Sequence, residues 1–125
     1  MPRQYINLPG RRAALPFSDA VLVNNTLYLS GRIGLDPATG LPPADIQEEL
    51  RLLFDGFEAV LAQAAMTMDD FVYIQVFCPY VSLWEAFNTA YVRRFPRGFP
   101  ARAFLGSGPL LFNARFEMQG IAVKG

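Results

Sequence analysis

The chain has 125 residues, of which 52% are hydrophobic and 18% are charged. This length holds one domain, spanning 1–125, and so apolar a composition in so small a domain predicts that some surface is buried between subunits. Eleven basic and eleven acidic residues cancel, so no net charge attracts nucleic acid or an anionic membrane.

Two residue types restrict the chemistry. The chain contains no histidine, which excludes Ser-His-Asp and Cys-His nucleophile systems and His-ligated metals. The single cysteine, Cys78, excludes an internal disulfide, and its apolar neighbours favour a buried, inert thiol over a nucleophile.

Residues 1–5 carry no apolar segment typical of a secretory signal, and no apolar run is long enough to cross a bilayer. A soluble, cytoplasmic protein is expected.

The first third of the chain predicts strands. Residues 4–8 form a candidate first strand. Residues 20–23 and 26–30 predict a β-hairpin, because the intervening Asn24-Asn25 tolerates positive φ. The second hairpin strand ends in a segment with two glycines, 30–34, which fits either a bulged turn or a close approach of backbone to a ligand.

A long amphipathic helix follows. Asp45 is expected to cap it, with Glu48 three residues later completing a capping box. Its apolar side chains recur at steps of three and four, which predicts one buried stripe: Ile46, Leu50, Leu53, Phe54, Phe57, Val60, Leu61 and Ala64. The opposite face is expected to be solvated: Glu48, Glu49, Arg51 and Glu58.

A central strand is predicted over residues 71–78, followed by a second helix capped by Ser82 with Glu85 at its third position. Its apolar stripe comprises Leu83, Ala86, Phe87, Ala90, Tyr91 and Phe95. Asn88 lies directly beside this stripe. A capping or inter-subunit hydrogen bond explains such an asparagine, and a place in a ligand pocket is the alternative.

Two further strand segments each hold one charged residue that matters. Arg102 lies in the apolar run 99–105, where a buried guanidinium needs a planar anion, so we interpret it as a carboxylate clamp. Glu117 lies in 115–123, on the polar side of an alternating strand. The element order predicts that these last two strands are neighbours. An arginine and a glutamate on neighbouring strands form a structural ion pair, part of a solvated sheet face or a catalytic couple. The element order predicts an α+β fold, with two helices on one face of a mixed sheet.

Motifs in this order resemble the RidA (YjgF) family of reactive-intermediate deaminases. The matching segments are Leu15-Pro16-Phe17-Ser18, Leu29-Ser30-Gly31-Arg32-Ile33, Asp36-Pro37-Ala38-Thr39-Gly40, Val76-Phe77, Phe87-Asn88, Phe99-Pro100-Ala101-Arg102 and Phe116-Glu117-Met118-Gln119-Gly120-Ile121-Ala122. Each segment is weak alone, but the ordered set spans nearly the whole chain.

The resemblance implies a chorismate-mutase-like fold and a homotrimer with ligand clefts between subunits. It implies hydrolysis of 2-enamines and 2-imines, such as 2-aminoacrylate and 2-iminopropanoate, to a 2-keto acid and ammonia, without metal or cofactor. By position, Arg102 corresponds to the residue that holds the substrate carboxylate and Glu117 to the one that orients the attacking water. The implied substrate-binding residues are Phe17, Ser30, Gly31, Asn88, Ala103 and Phe104.

One position departs from the family pattern. Phe17 stands where deaminating members commonly carry tyrosine, so a hydroxyl that could contact substrate or water is missing. Its loss predicts a rate lower by ~10-fold or more, or a shift toward bulkier or more apolar imines. It also keeps open a non-catalytic sensor of 2-keto acids. A ribonuclease or translation-inhibitor role, for which some members are named, is disfavoured by the zero net charge and the lack of histidine.

Overall fold

The computed structural model describes residues 2–11 and 14–125. Strands and helices alternate along the chain, as expected for an α+β fold. In chain order they are β1 (Arg3–Ile6), β2 (Ala20–Val23), β3 (Thr26–Ile33), α1 (Ile46–Gln63), β4 (Phe71–Cys78), α2 (Trp84–Tyr91), β5 (Ala101–Gly106) and β6 (Glu117–Val123).

The strands form one mixed sheet in the order β1-β2-β3-β6-β4-β5. Only the pair β4–β5 is parallel among the described strands. The prediction that the last two strands are neighbours is wrong, because β4 lies between β5 and β6. Helix α2 carries the chain back across the sheet, so β5 joins the outer edge of β4 in parallel, while β6 enters between β3 and β4.

Both helices cover one face of the sheet. The predicted stripe of α1 is confirmed, since its central members are at most 1% exposed. The helices touch through Phe54 and Phe87, whose ring centroids are 5.6 Å apart. Below them lie the buried sheet residues Leu27, Leu29, Ile74, Val76, Met118 and Ala122. The other face of the sheet is open in this chain.

The capping predictions are wrong in detail. Asp45 is the N-cap of α1, but its side chain makes no capping hydrogen bond, and Glu48 accepts two hydrogen bonds from Arg51 instead (2.6 and 2.7 Å). The second helix is preceded by a 3₁₀ turn over Val81–Leu83, so its N-cap is Leu83 and not Ser82. A strong local partner or a tighter turn thus overrides the capping pattern.

Glu49 is a second correction, because this residue of the expected solvated face is completely buried. Its carboxylate accepts hydrogen bonds from Arg115 Nε (2.7 Å) and from the Arg115 backbone N–H (2.8 Å). The two Nη atoms of Arg115 donate to the carbonyl oxygens of Ala44 (2.9 Å) and Pro43 (2.6 Å). These hydrogen bonds connect the segment before β6 to the first turn of α1 and to the residues that precede it.

The alternation predicted for the last strand is confirmed. Met118, Gly120 and Ala122 are buried, whereas Glu117 and Gln119 are only half-buried. In the sheet register Glu117 pairs with Phe77, and Gln119 pairs with Gln75. Glu117 therefore projects from the face of the sheet that the helices leave open.

Candidate active site

Arg102 lies on β5 with its guanidinium surrounded by aromatic rings. The Arg102 Cζ atom is 4.6 Å from the ring centroid of Tyr91, 5.1 Å from Trp84, 5.5 Å from Phe87 and 5.8 Å from Phe104. Each such cation–π contact contributes about 0.5–1 kcal/mol at a partly exposed position. We call these four rings the aromatic box.

Local structure explains how the aromatic box forms. Trp84, Phe87 and Tyr91 follow one another at helical steps of three and four, so they share a face of α2. Phe104 lies two residues after Arg102, and alternate residues of a strand share one face. The parallel pairing places Arg102 beside the buried Ile74, so its side chain is on the helix-covered face.

The guanidinium keeps donors free for an anion. Its hydrogen bond to a described residue is donated by Nη2 to Asn88 Oδ1 (2.8 Å). Among residues 2–11 and 14–125, no carboxylate lies within ion-pair distance of Arg102. Asn88 thus contacts the proposed clamp. A half-buried, oriented guanidinium of this kind suits a planar carboxylate, which can accept two parallel hydrogen bonds.

Tyr91 is buried in the wall of the aromatic box. Its hydroxyl has no hydrogen-bond partner among the described residues. Burial is the main reason why the pKa of Tyr91 is raised, to about 12, although Arg102 acts in the opposite direction. The phenol therefore stays neutral at physiological pH.

Glu117 lines a separate cavity of about 460 Å³. Its carboxylate lies directly over Gly31, because a β-carbon added to Gly31 would be 2.4 Å from Glu117 Oε2. A side chain at position 31 would thus displace the carboxylate. The residues around the cavity are Arg11, Leu15, Phe17, Asp19, Ser30, Gly31, Arg32, Ile33, Leu35, Gly40, Leu111, Phe112 and Glu117.

Hydrogen bonds fix the loop that carries Phe17. Arg11 Nη2 donates to the Phe17 carbonyl oxygen (2.5 Å), and the Arg11 Cζ atom is 5.4 Å from the centroid of the Phe17 ring. The Ser30 hydroxyl donates to the carbonyl of Ser18 (2.6 Å). Asp19 forms ion pairs with Arg11 (3.2 Å) and Arg32 (3.4 Å). The charged groups of this wall therefore bind one another.

The residues predicted for the site fall into two groups on opposite faces of the sheet. Arg102, Asn88 and Phe104 belong to the aromatic box, whereas Glu117, with Phe17, Ser30 and Gly31, lines the cavity. Ala103 joins neither group, because it pairs with Gln75 on the open face. The expectation that Arg102 and Glu117 lie on neighbouring strands is wrong, since β4 separates their strands.

Sequence reasoning missed several residues of both groups. Trp84 and Tyr91 were recognisable only through their helical spacing from Phe87, a pattern that normally indicates core packing. Phe112 gave no local signal, although it borders the cavity with a left-handed backbone (φ 57°, ψ 23°). Asn113 beside it has φ 57° as well. A bulky residue in this conformation costs about 1–2 kcal/mol.

No helix in the described part of the chain is long and apolar enough to cross a membrane. No group of three or more Cys, Asp or Glu side chains among these residues could hold a metal ion.

Comparisons with known proteins agree with this fold. The protein family described as "Endoribonuclease L-PSP" matches residues 9–124. A goat protein named 2-iminobutanoate/2-iminopropanoate deaminase is 34% identical over 125 residues, covering 98% of this chain and 91% of the relative. The human protein of the same name is 32% identical over 111 residues, covering 88% of this chain and 81% of the human protein.

Solved structures of similar proteins share the fold of this chain. A structure titled as a putative endoribonuclease of Thermotoga maritima superposes with a TM-score of 0.89 at 31% identity, covering 98% of each chain. A Rid family protein of unknown function from Yersinia pestis gives a TM-score of 0.90 at 31% identity, covering 98% of this chain and 100% of that one. The α+β fold of this chain is thus that of the solved Rid family structures. The chain belongs to the RidA family, within the endoribonuclease L-PSP group.

Proposed function

We propose that this protein hydrolyses reactive 2-enamines and 2-imines to 2-keto acids and ammonia. The observation that carries the proposal is the Arg102 guanidinium, which is oriented by four rings and Asn88 but has no carboxylate partner among the described residues. Every 2-imino acid carries such a carboxylate. The relatives named as imine deaminases support the same class of reaction.

The chemistry asks little of the protein. The imine carbon of a 2-imino acid is already electrophilic, so the protein needs to hold the carboxylate and to place a water. Arg102 binds the carboxylate, and Glu117 accepts a proton as the water attacks. That proton passes to the imine nitrogen, which gives a carbinolamine. The hydroxyl proton of the carbinolamine then moves to the nitrogen as the C–N bond breaks and C=O forms, and the 2-keto acid and ammonia leave.

One chain cannot supply both groups to one substrate, because Arg102 and Glu117 lie on opposite faces of the sheet. We therefore propose a homotrimer in which Arg102 of one subunit faces Glu117 of its neighbour across each cleft. The open sheet face supports such an assembly, since it exposes apolar side chains that include Tyr28 and Leu105.

Subunit mixing tests this arrangement. Arg102→Ala and Glu117→Ala homotrimers are each expected to be inactive in a coupled assay with a serine or threonine dehydratase that measures ammonia release. The two variants are then denatured, mixed in equal amounts and refolded together. A cleft is intact when the subunit that supplies Arg102 is a Glu117→Ala chain and the neighbour that supplies Glu117 is an Arg102→Ala chain. Random assembly makes roughly a quarter of the clefts intact. No recovered activity would contradict the shared site, and full activity of Arg102→Ala would contradict the proposed function.

A binding-only role is the second candidate, and Phe17 is the observation that favours it. The ring lines the cavity but offers no hydroxyl to substrate or water. A sensor of 2-keto acids would show ligand-dependent thermal stabilisation without turnover of any imine. A ribonuclease role gains no support from the zero net charge and the lack of histidine.

A further inference from the structure

The hydroxyl of Tyr91 is a buried polar group that the proposed reaction does not yet use. Tyr91 is 4% exposed, and its hydroxyl has no hydrogen-bond partner in the described part of the chain. Native proteins leave very few buried polar atoms unpaired, because such an atom loses its hydrogen bonds to water without compensation. A phenylalanine would fill the same space without this cost. Packing alone therefore does not explain the hydroxyl.

The number of subunits does not change this situation. A neighbouring subunit covers surface that one chain exposes, but the Tyr91 hydroxyl is already buried inside its own chain. Its partner is therefore a group of the same chain that moves, or a molecule that enters the aromatic box.

The ring of Tyr91 is fixed by other aromatic rings. Its centroid lies 4.6 Å from that of Phe95, 5.5 Å from that of Phe87, and 6.2 Å from those of Phe54 and Phe99. Side chains in such a close-packed interior keep one rotamer. The hydroxyl therefore stays in one place, and a partner has to come to it.

Arg102 is the group of the same chain that lies close enough. Its Cζ atom is nearer to the ring centroid of Tyr91, at 4.6 Å, than to any other ring of the aromatic box. Burial raises the pKa of Tyr91, and the charge and the donors of Arg102 oppose this rise. The phenol oxygen thus lies near the guanidinium, although no hydrogen bond of normal geometry joins them.

The donors of Arg102 suffice for a substrate, for Asn88 and for Tyr91 together. A guanidinium has five N–H groups. Nη2 donates to Asn88, and a planar carboxylate accepts two parallel hydrogen bonds, so donors remain for the phenol. Asn88 and Tyr91 are both neutral acceptors, so they orient the guanidinium without cancelling the charge that attracts an acid.

We propose that Tyr91 is a positioning residue for Arg102. When a substrate carboxylate is bound, the phenol oxygen accepts a hydrogen bond from the guanidinium and so holds two other donors of Arg102 parallel to the carboxylate. This inference rests on the proposed deaminase function and names a further residue of its carboxylate-binding site. Tyr91 acts through Arg102 and not on the reacting atoms. The hydroxyl gains its partner on binding, which adds to the affinity for the acid.

The variant Tyr91→Phe keeps the ring and removes the hydroxyl, so it is expected to fold. Its substrate, 2-iminopropanoate, is generated in place from D-alanine by D-amino acid oxidase, whose amount sets the imine concentration. Semicarbazide is a competing trap, so faster hydrolysis appears as less semicarbazone. KM should rise by about 10-fold, as expected when a hydrogen bond to a charged group is lost. The change in kcat should stay below about 2-fold, because the carboxylate is held equally in the ground and transition states.

Calorimetric titration with pyruvate gives a readout without turnover, and the Kd of Tyr91→Phe should rise by the same factor of about 10. Its melting temperature without ligand should equal or exceed that of the wild type, because the free protein loses no hydrogen bond. Tyr5→Phe is the matched control, because it removes the hydroxyl of an exposed tyrosine on β1, at the opposite edge of the sheet from β5. It should keep the KM and Kd of the wild type.

The outcomes separate this inference from the proposed function. If Tyr91→Phe keeps both KM and the Kd for pyruvate, the inference is overturned and the deaminase function stands. If the wild type hydrolyses no imine but Tyr91→Phe binds pyruvate more weakly than the wild type, the positioning role stands and the deaminase function is overturned. A variant that melts well below the wild type yet binds pyruvate equally well assigns the hydroxyl to the structure and overturns the inference.

Discussion

Arg102 and Arg115 differ in what their guanidinium groups contact. Arg115 donates from its side chain and backbone to Glu49 and from both Nη atoms to carbonyl oxygens. Arg102 has aromatic neighbours and one asparagine contact. Their acidic counterparts differ in the same way, because Glu49 is completely buried in its ion pair, whereas Glu117 borders an open cavity.

The difference teaches how to separate a structural charge from a functional one. A buried charge is tolerated when every polar atom has a partner, and such a cluster fixes the fold. An arginine that is oriented but not neutralised can still bind an anion from outside. Substitutions at both kinds of charged residue should therefore have different effects on activity and on stability.

Arg102→Ala should reduce kcat/KM for imine hydrolysis by about 100-fold or more, because two charge-assisted hydrogen bonds to the substrate are lost. Its melting temperature should fall by a few degrees, because the cation–π contacts with the aromatic box are lost, but no buried ion pair in the described part of the chain is broken. Arg93→Ala is the control, as it removes an exposed arginine from the turn after α2. A large loss of stability with activity retained would assign Arg102 to the structure instead.

Glu49→Ala should lower the free energy of unfolding by about 3–5 kcal/mol, because it leaves Arg115 half-buried without its counter-charge. Glu58→Ala on the same helix removes a carboxylate that pairs at the surface with Arg94 and should cost at most about 1 kcal/mol. Urea denaturation of both variants measures the difference. Equal costs would mean that burial adds nothing to the Glu49 pair.

Gly31→Ala tests whether Glu117 must keep its position. The new methyl group would collide with the flexible end of the Glu117 side chain, which can rotate away, so stability should fall by less than about 1 kcal/mol. Activity should fall about 10-fold, because the carboxylate leaves its place beside the substrate. Gly98→Ala, where a β-carbon meets open space, should leave activity as in the wild type.

Tyr91→Phe removes the buried hydroxyl that has no partner in the described part of the chain, so stability at pH 7 should stay equal or rise by up to about 1 kcal/mol. The pKa of Tyr91 is raised to about 12 by burial, whereas an unfolded tyrosine titrates near ~10. Between these values the unfolded chain releases a proton that the folded one retains, so wild-type stability falls as the pH rises.

The variant Tyr91→Phe has no phenol at this position, so this pH-dependent loss of stability is absent from it. Denaturation at pH 9 and pH 11 should therefore show a smaller loss of stability in the variant than in the wild type, by roughly 1 kcal/mol. Identical losses would show that the phenol ionises equally in the folded and unfolded states.

Periodic patterns in the sequence predicted most of the fold. The stripe of α1 and the alternation of β6 are local properties of the chain, and the structure confirms both. Asn24 adopts the positive φ that its place in the hairpin predicted (55°). The position of β5 at the edge of the sheet, paired only with β4 among the described strands, could not be predicted from local sequence patterns. Strand order depends on how α2 crosses the sheet.

The missed residues depend on contacts between distant parts of the chain. Glu49 looked solvated because its neighbours on the helix are charged, but its partner Arg115 lies 66 positions away. Family resemblance assigned Arg102 and Glu117 together, yet the register places them on opposite faces. Whether they meet across a subunit boundary stays a prediction. Phe112 could not be identified at all, since its left-handed backbone is a property of the folded turn.

The aromatic box has a practical consequence. Trp84 is the only tryptophan in the chain, and its ring centroid lies 5.1 Å from the Arg102 Cζ atom. An acid arriving at that arginine brings negative charge close to the indole, so the intrinsic fluorescence of the unlabelled protein should report occupancy. Ligand titrations then need no attached dye and no chemical turnover, because the tryptophan beside Arg102 serves as a built-in optical sensor.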